Sequence, residues 1–182
     1  LQNAQVRFLL TVKEAKTLSR LLQLSVPTIQ VIFTAAELRL PVQPIQAGIA
    51  KRSDIAFLQY TSGSTGNPKG VTLTHDNLLA NVRAMGQVVR AHSTDIFVSW
   101  LPVYHDMGLI GAWLGSLYYS MPLVIMPPLL FLSKPQRWLW AIHQHRGTLS
   151  PAPNFAYELC LNKIDAPDLH GLDLSCWRQA WN

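Results

Sequence analysis

Residues 60–70 read YTSGSTGNPKG, a run of glycine and small hydroxyl residues that closes on a lysine and a glycine. Apolar segments flank it, Ile55–Tyr60 before and Val71–Leu73 after, so any fold of this chain must suspend a glycine-rich loop between two core segments. Gly63, Gly66 and Gly70 free the backbone to take positive φ and to bring peptide N–H groups close to a ligand. Thr61, Ser62, Ser64 and Thr65 add hydroxyl donors, and Lys69 adds a positive charge. Successive N–H groups in such a loop form a concavity suited to phosphate oxygens. The spacing is G-x-x-G-x-x-K-G, and Gly70 stands where the common P-loop needs Ser or Thr, which excludes a kinase or GTPase of that type. A flexible Ser/Gly linker has the same composition, but it would not be bounded by two strand-like runs.

At 182 residues, 49% hydrophobic and 14% charged, the chain has the balance of a folded protein with one well-buried core. The net charge of +5 is spread along the chain, so no basic stripe for nucleic acid emerges, although it favours a polyanionic nucleotide. Cys160 and Cys176 lack metal-ligand spacing and read as reduced thiols of a cytoplasmic protein. Met107–Ser133 carries no charged residue and is long enough to cross a bilayer. Its glycines and prolines break a continuous helix, so a buried helix followed by a buried strand is expected, and no membrane span.

Strand-like runs at 6–11 and 28–33 bracket a helical pattern at 12–24, and residues 34–52 read as a connecting loop. After the glycine-rich loop, Thr74 is placed to cap a helix whose stripe runs Leu78, Val82, Met85, Val89. Strands follow at 95–101, 123–126, 148–150 and 175–181, with helices at 108–119, from Pro135 onward, and at 154–162. The repeated alternation predicts an α/β fold of mostly parallel sheets with flanking helices.

FLQYTSGSTGNPKGV at 57–71 resembles the phosphate-binding signature of the adenylate-forming enzymes, among them acyl-CoA synthetases, luciferases and peptide-synthetase adenylation domains. LPVYHDMGLIG at 101–111, FLSKPQRWLWAI at 131–142 and PNFAYELC at 153–160 are similar to the fatty acyl-AMP ligase branch. The resemblance implies that residues 1–182 are part of the large N-terminal domain, without the small C-terminal domain. It also implies that SCWRQAWN stops where the adenine-recognition segment would follow. Leu1 in place of Met points the same way.

The implied reaction joins a fatty acid to ATP with loss of pyrophosphate, and hands the acyl group to an acyl carrier protein or a polyketide or peptide synthase. The alternatives are an acyl-CoA synthetase, another adenylation domain, or an inactive remnant, and the isolated piece is expected to turn over little substrate. In this picture Ser62, Gly63, Ser64, Thr65 and Gly66 hold phosphates, Lys69 the loop or the leaving pyrophosphate, and Thr61 helps bind Mg2+. A lone hydroxyl is too few ligands for that ion. Tyr104 and His105 are expected to steer the acyl carboxylate, with Asp106 orienting His105 or capping the next helix. Gly108, Gly111 and Gly115 clear one helix face for an acyl chain or for close packing. Asn154, Phe155 and Tyr157 match a region that lines the branch's acyl pocket. Pro151-Ala152 stand where that branch has two glycines, a departure expected to stiffen the turn.

Overall fold

Two short apolar runs, Phe8–Thr11 (β1) and Val31–Thr34 (β2), pair in parallel, with Phe8 opposite Val31 and Thr11 opposite Thr34. The helix α1, Lys16–Ser25, makes the crossover between them, as the sequence pattern predicts. In the computed structural model, residues 1–38, 48–61 and 68–182 are described. The chain divides into two compact units, Leu1–His75 and Asp76–Asn182. In the first unit Val26 and Ile29 are buried beneath α1, and Ser19 in α1 donates to the Ala15 carbonyl at 2.8 Å.

The two apolar runs flanking the glycine-rich segment become Ile55–Thr61 (β3) and Lys69–Thr74 (β4), and they pair antiparallel. The parallel alternation expected from the sequence therefore breaks here, because a short connection can only return a strand beside its predecessor in the opposite direction. Helix α2, His75–Val89, starts directly behind Thr74. Its buried stripe runs through Val82 and Gly86, while Met85, which the periodicity placed in the core, is exposed. Tyr119 explains the shift: a Cβ on Gly86 would lie 2.1 Å from the Tyr119 hydroxyl, so the absent side chain is the seat for that ring.

The second unit is a four-stranded, all-parallel sheet of Phe97–Ser99 (β5), Leu123–Ile125 (β6), Leu149–Pro151 (β7) and Gln179–Trp181 (β8). Their order is β6-β5-β7-β8. All three residues of β5 are buried, as a strand covered on both faces requires. From β5 to β6 the chain runs through a π-helical segment, Met107–Leu114, and α3, Gly115–Tyr119. From β6 to β7 it runs through α4, Pro128–Ser133, and α5, Gln136–His145, and from β7 to β8 through α6, Asn154–Lys163. The sequence reading anticipated α5 and α6 but not α4.

Right-handed crossovers that travel in opposite directions put their helices on opposite faces of a sheet. The core accordingly has two halves. Val98 packs with Phe131, Trp138, Ile142 and Ala156 on one face, and Phe97 and Leu149 pack with Ala112 and Met121 on the other. Trp138, fully buried, donates its indole N–H to Ser150 Oγ at 2.8 Å, and Ser150 donates in turn to the Val98 carbonyl at 2.5 Å. The final strand is shorter than the predicted 175–181, because Asp173 Oδ1 accepts from the Ser175 N–H and Trp177 N–H turns back to the Leu174 carbonyl.

A buried carboxylate ties the amino ends of these strands. Asp95, with no exposed surface, accepts from Arg178 Nη2 at 2.9 and 2.7 Å, from Thr148 Oγ1 at 2.7 Å and from the His92 N–H at 3.0 Å. Arg178 also donates to the carbonyls of Val89, the last residue of α2, at 2.6 Å and of Arg90, just beyond it, at 3.3 Å. Burial alone would raise the Asp95 carboxyl value, but these donors outweigh it and hold it below the ordinary 3.8.

Breaking such a pair leaves an unpaired buried charge. Arg178→Met is expected to cost about 3 kcal/mol, read by urea denaturation of the 182-residue chain. Because the native value is depressed, the Asp95 contribution is present above 3.8 and is lost as pH falls through the lower native value. Denaturation midpoints from pH 7 downward therefore stay level until that range and then fall more steeply in the wild type than in Asp95→Asn.

Candidate functional site

Thr61 and Lys69 are cross-strand partners at the connected end of the β3–β4 hairpin, next to the Tyr60–Gly70 pair. Directly opposed residues of an antiparallel pair project from the same face and alternate along the strand. The threonine hydroxyl and the lysine ammonium thus share one face at the base of the glycine-rich connection, and both residues are exposed. Ser62, Gly63, Ser64, Thr65 and Gly66 lie outside the described residues. Gly70 corrects one expectation. Among the described glycines only Gly171 has a positive φ, at 81°. The reason for Gly70 is steric instead: a Cβ there would meet the Tyr60 ring at 3.1 Å.

The second set of residues leaves the carboxyl end of β5. Trp100 and Leu101 are buried, and Leu101 N–H is fixed by Ser99 Oγ at 3.1 Å. The chain then turns through exposed Val103 and Tyr104, and His105 N–H donates to the Pro102 carbonyl at 3.1 Å. Asp106 does both things the sequence allowed it. Its Oδ1 lies 2.6 Å from His105 Nδ1 and accepts the Met107 N–H at 2.7 Å, capping the π-helical segment. With Nδ1–H given to a carboxylate, the imidazole presents Nε2 outward.

The three glycines expected to clear one helix face do three different things, since the segment is wound as a π-helix. A Cβ on Gly108 would sit 2.1 Å from the Pro102 carbonyl, so this glycine lets the segment close against the turn that carries His105. Gly111 has nothing within 4 Å of that position, and Gly115 meets only the Ile110 carbonyl at 3.6 Å. Single π turns inside helices are rare and concentrate at functional sites.

The third set leaves the carboxyl end of β7. Pro151 opposes Trp181, and Ala152, fully buried, donates its N–H to the Trp181 carbonyl at 2.9 Å. The methyl group that replaces a glycine of the branch pattern is thereby absorbed into the core. Asn154 opens α6 and accepts from Asn182 Nδ2. Phe155 is half exposed, and its ring meets Trp100 edge-on at 6.0 Å. Tyr157 packs on Trp138 at 5.6 Å and donates to the Trp181 carbonyl at 3.2 Å, while burial pushes its phenol value up.

These placements follow from topology. The chain leaves β5 toward β6 on one side, and the next crossover passes over β5 to β7 on the other. Ligands of open α/β sheets bind outside the carboxyl ends of strands where the order reverses in this way. The turn bearing Tyr104 and His105 and the start of α6, with Asn154 and Phe155, flank that point. Trp100 joins them, a residue sequence reasoning passed over. It stacks on Phe131 with ring centroids 4.0 Å apart, and its buried indole N–H has no acceptor among the described residues. Its place in an apolar run just before Pro102 read as an ordinary strand residue, so only the fold reveals it. Among the described residues no group of three His, Cys, Asp or Glu side chains could hold a metal, and no helix is long and apolar enough to cross a membrane.

Comparison with known proteins accords with this geometry. Over 133 residues the chain is 47% identical to the medium-chain-fatty-acid–acyl-carrier-protein ligase TtuA of Teredinibacter turnerae, covering 73% of this chain and 21% of that protein. It is 41% identical over 137 residues to the long-chain-fatty-acid–AMP ligase FadD26 of Mycobacterium marinum, covering 72% of this chain and 24% of that protein. Its fold superposes on a fatty acyl-adenylate ligase from L. pneumophila in complex with acyl adenylate and pyrophosphate, with a TM-score of 0.80 and 36% identity. That match covers 98% of this chain and 31% of the solved one. The chain thus spans between a fifth and a third of the proteins it matches. The pattern of the family described as AMP-binding enzyme matches residues 1–180, and this chain belongs to that family.

Proposed function

We propose that residues 1–182 form part of the N-terminal domain of a fatty acyl-AMP ligase, which activates a fatty acid with ATP and passes the acyl group to a carrier protein. The observation that carries this reading is the pairing of Thr61 with Lys69, both within YTSGSTGNPKG, in a member of the AMP-binding family. The names of the fatty-acid ligases it resembles support the choice of acid and of carrier.

In the reaction a carboxylate oxygen attacks the α-phosphorus of ATP and the bond to pyrophosphate breaks. Two anions must be brought together, so positioning and charge neutralisation supply the catalysis, and no covalent nucleophile is needed. Lys69 would neutralise charge on the leaving pyrophosphate, with Ser62 to Gly66 cradling the β- and γ-phosphates. His105, held by Asp106 through Nδ1, would carry a proton on both ring nitrogens and donate Nε2–H to the fatty carboxylate beside Tyr104. Phe155 and Asn154 would line the entry for the chain, while Tyr157 supports that wall through the Trp181 carbonyl. Thr61 supplies one oxygen, which does not make a resident metal site, so Mg2+ is assigned to the bound nucleotide, with phosphate and water as its remaining ligands. A cytoplasmic location accords with the free thiols of Cys160 and Cys176.

The product assay on the complete polypeptide that carries this segment tests the reading. Pyrophosphate release should depend on both ATP and a fatty acid, and the acyl group should appear on a carrier protein. Acyl-CoA formed from free CoA as fast as the adenylate would overturn the carrier assignment. His105→Ala is expected to lower kcat/KM by about 10²-fold, the usual loss when one positioned donor is removed. The 182 residues alone are expected to turn over little substrate in the same assay. A second measurement needs no activity: long-range 1H–15N NMR of the 182-residue chain should find neutral His105 mainly with its proton on Nδ1. Asp106→Ala should shift it toward the Nε2–H tautomer.

A further inference from the structure

We infer that Tyr60 is a positioning residue, which locks the register of the β3–β4 hairpin and so holds Thr61 and Lys69 side by side at its last pair. The inference rests on the adenylation reading for its consequence but not for its geometry. Register in an antiparallel pair is normally set by burial of one face, and a slip of one residue sends every side chain to the opposite face. Among the described residues burial sets it only weakly, because most residues of β3 and β4 are exposed. The ladder already shifts once, between Ile55 and Phe57, so the remote end of the hairpin does not impose the pairing at the loop end.

What remains at the loop end is Tyr60. It pairs with Gly70, and its ring covers the space a side chain would take there, with Cζ, the hydroxyl oxygen and Cε2 at 3.1, 3.3 and 3.4 Å from the ideal Cβ position. An aromatic ring laid across a cross-strand glycine is a known means of pinning register. Its hydroxyl donates to Asn3 Oδ1 at 2.7 Å, which adds a third segment of the chain to the clamp. The seat is specific: neighbouring pairs such as Gln59–Val71 and Thr61–Lys69 offer no glycine on which the ring could settle after a slip. The motif thus divides into two jobs. Tyr60 and Gly70 fix the pairing on one face, and Thr61 and Lys69 present their polar groups on the other.

The test uses the complete polypeptide, with steady-state pyrophosphate release read against ATP and against fatty acid. Tyr60→Leu, which loses the ring, is expected to raise KM for ATP about tenfold while KM for the acid stays within about twofold, because a misplaced loop residue penalises only the group it holds. Tyr60→Phe keeps the ring and should give a smaller rise, matched by Asn3→Ala and not increased in the double variant. An unchanged KM for ATP in Tyr60→Leu, or equal rises for ATP and acid, would overturn the inference. Should the wild type release no pyrophosphate with any fatty acid, the ligase reading fails and the lock is judged by structure alone. In the 182-residue chain, NOEs between the Thr61 and Lys69 strands should be present in the wild type and in Tyr60→Phe and lost in Tyr60→Leu, and their survival in Tyr60→Leu would refute the lock.

Discussion

The Asp95 carboxylate is the fixed point of the larger unit. It sits just before β5 and collects Arg178 from just before β8, Thr148 from just before β7, and its own turn at His92. Arg178 extends the tie to the carbonyls at and just beyond the end of α2. A helix end, a turn and three strand starts are therefore pinned through one buried ion pair. Such a pair stabilises only because its remaining valences are filled, since desolvation would otherwise cancel the Coulomb gain. Each of the four acceptor contacts on Asp95 is thus part of the same requirement.

The sheet is parallel, so fastening the amino ends leaves the carboxyl ends to diverge into turns whose lengths and residues are free to vary. One turn carries Tyr104 and His105, and the other leads to Asn154 and Phe155 at the start of α6. The buried relay from Trp138 through Ser150 to the Val98 carbonyl stiffens the middle of the sheet between the two edges. The fastening and the candidate site residues are thereby separated along the strand direction, whereas in the β3–β4 hairpin the pair Tyr60–Gly70 and the pair Thr61–Lys69 are immediate neighbours.

Local signals made much of this legible. The alternation of β and α segments gave the class, and the stripe from Leu78 to Val89 gave α2 within a residue. What escaped was set by partners distant in sequence. Asp95 and Arg178 are 83 residues apart, and nothing near either marks it as half of a pair. Met85 looked like a core residue until Tyr119 claimed the groove at Gly86. The antiparallel return at β4 was invisible because the glycine-rich segment was read for its ligand chemistry rather than as a hairpin connection. At the site, residue types were readable at Lys69 and His105. The reason for Gly70 was not, since a glycine that seats a ring and a glycine that admits a phosphate look alike in a sequence.

The π-helical turn shows how such ambiguities arise within the candidate site. An ordinary α-helix from Met107 would have aligned Gly108, Gly111 and Gly115 along one side, and the sequence was read that way. The wider winding separates them, spending Gly108 on contact with the Pro102 carbonyl and leaving Gly111 uncovered. Helical sequences avoid this geometry because it packs the backbone less well. Here Asp106 caps its first N–H while holding His105, so the cap, the wide turn and the orientation of the imidazole depend on one carboxylate. Removing that carboxylate would loosen the segment and the histidine together. For this reason the tautomer of His105 reports on Asp106 more cleanly than a rate does, because a rate would register both losses at once.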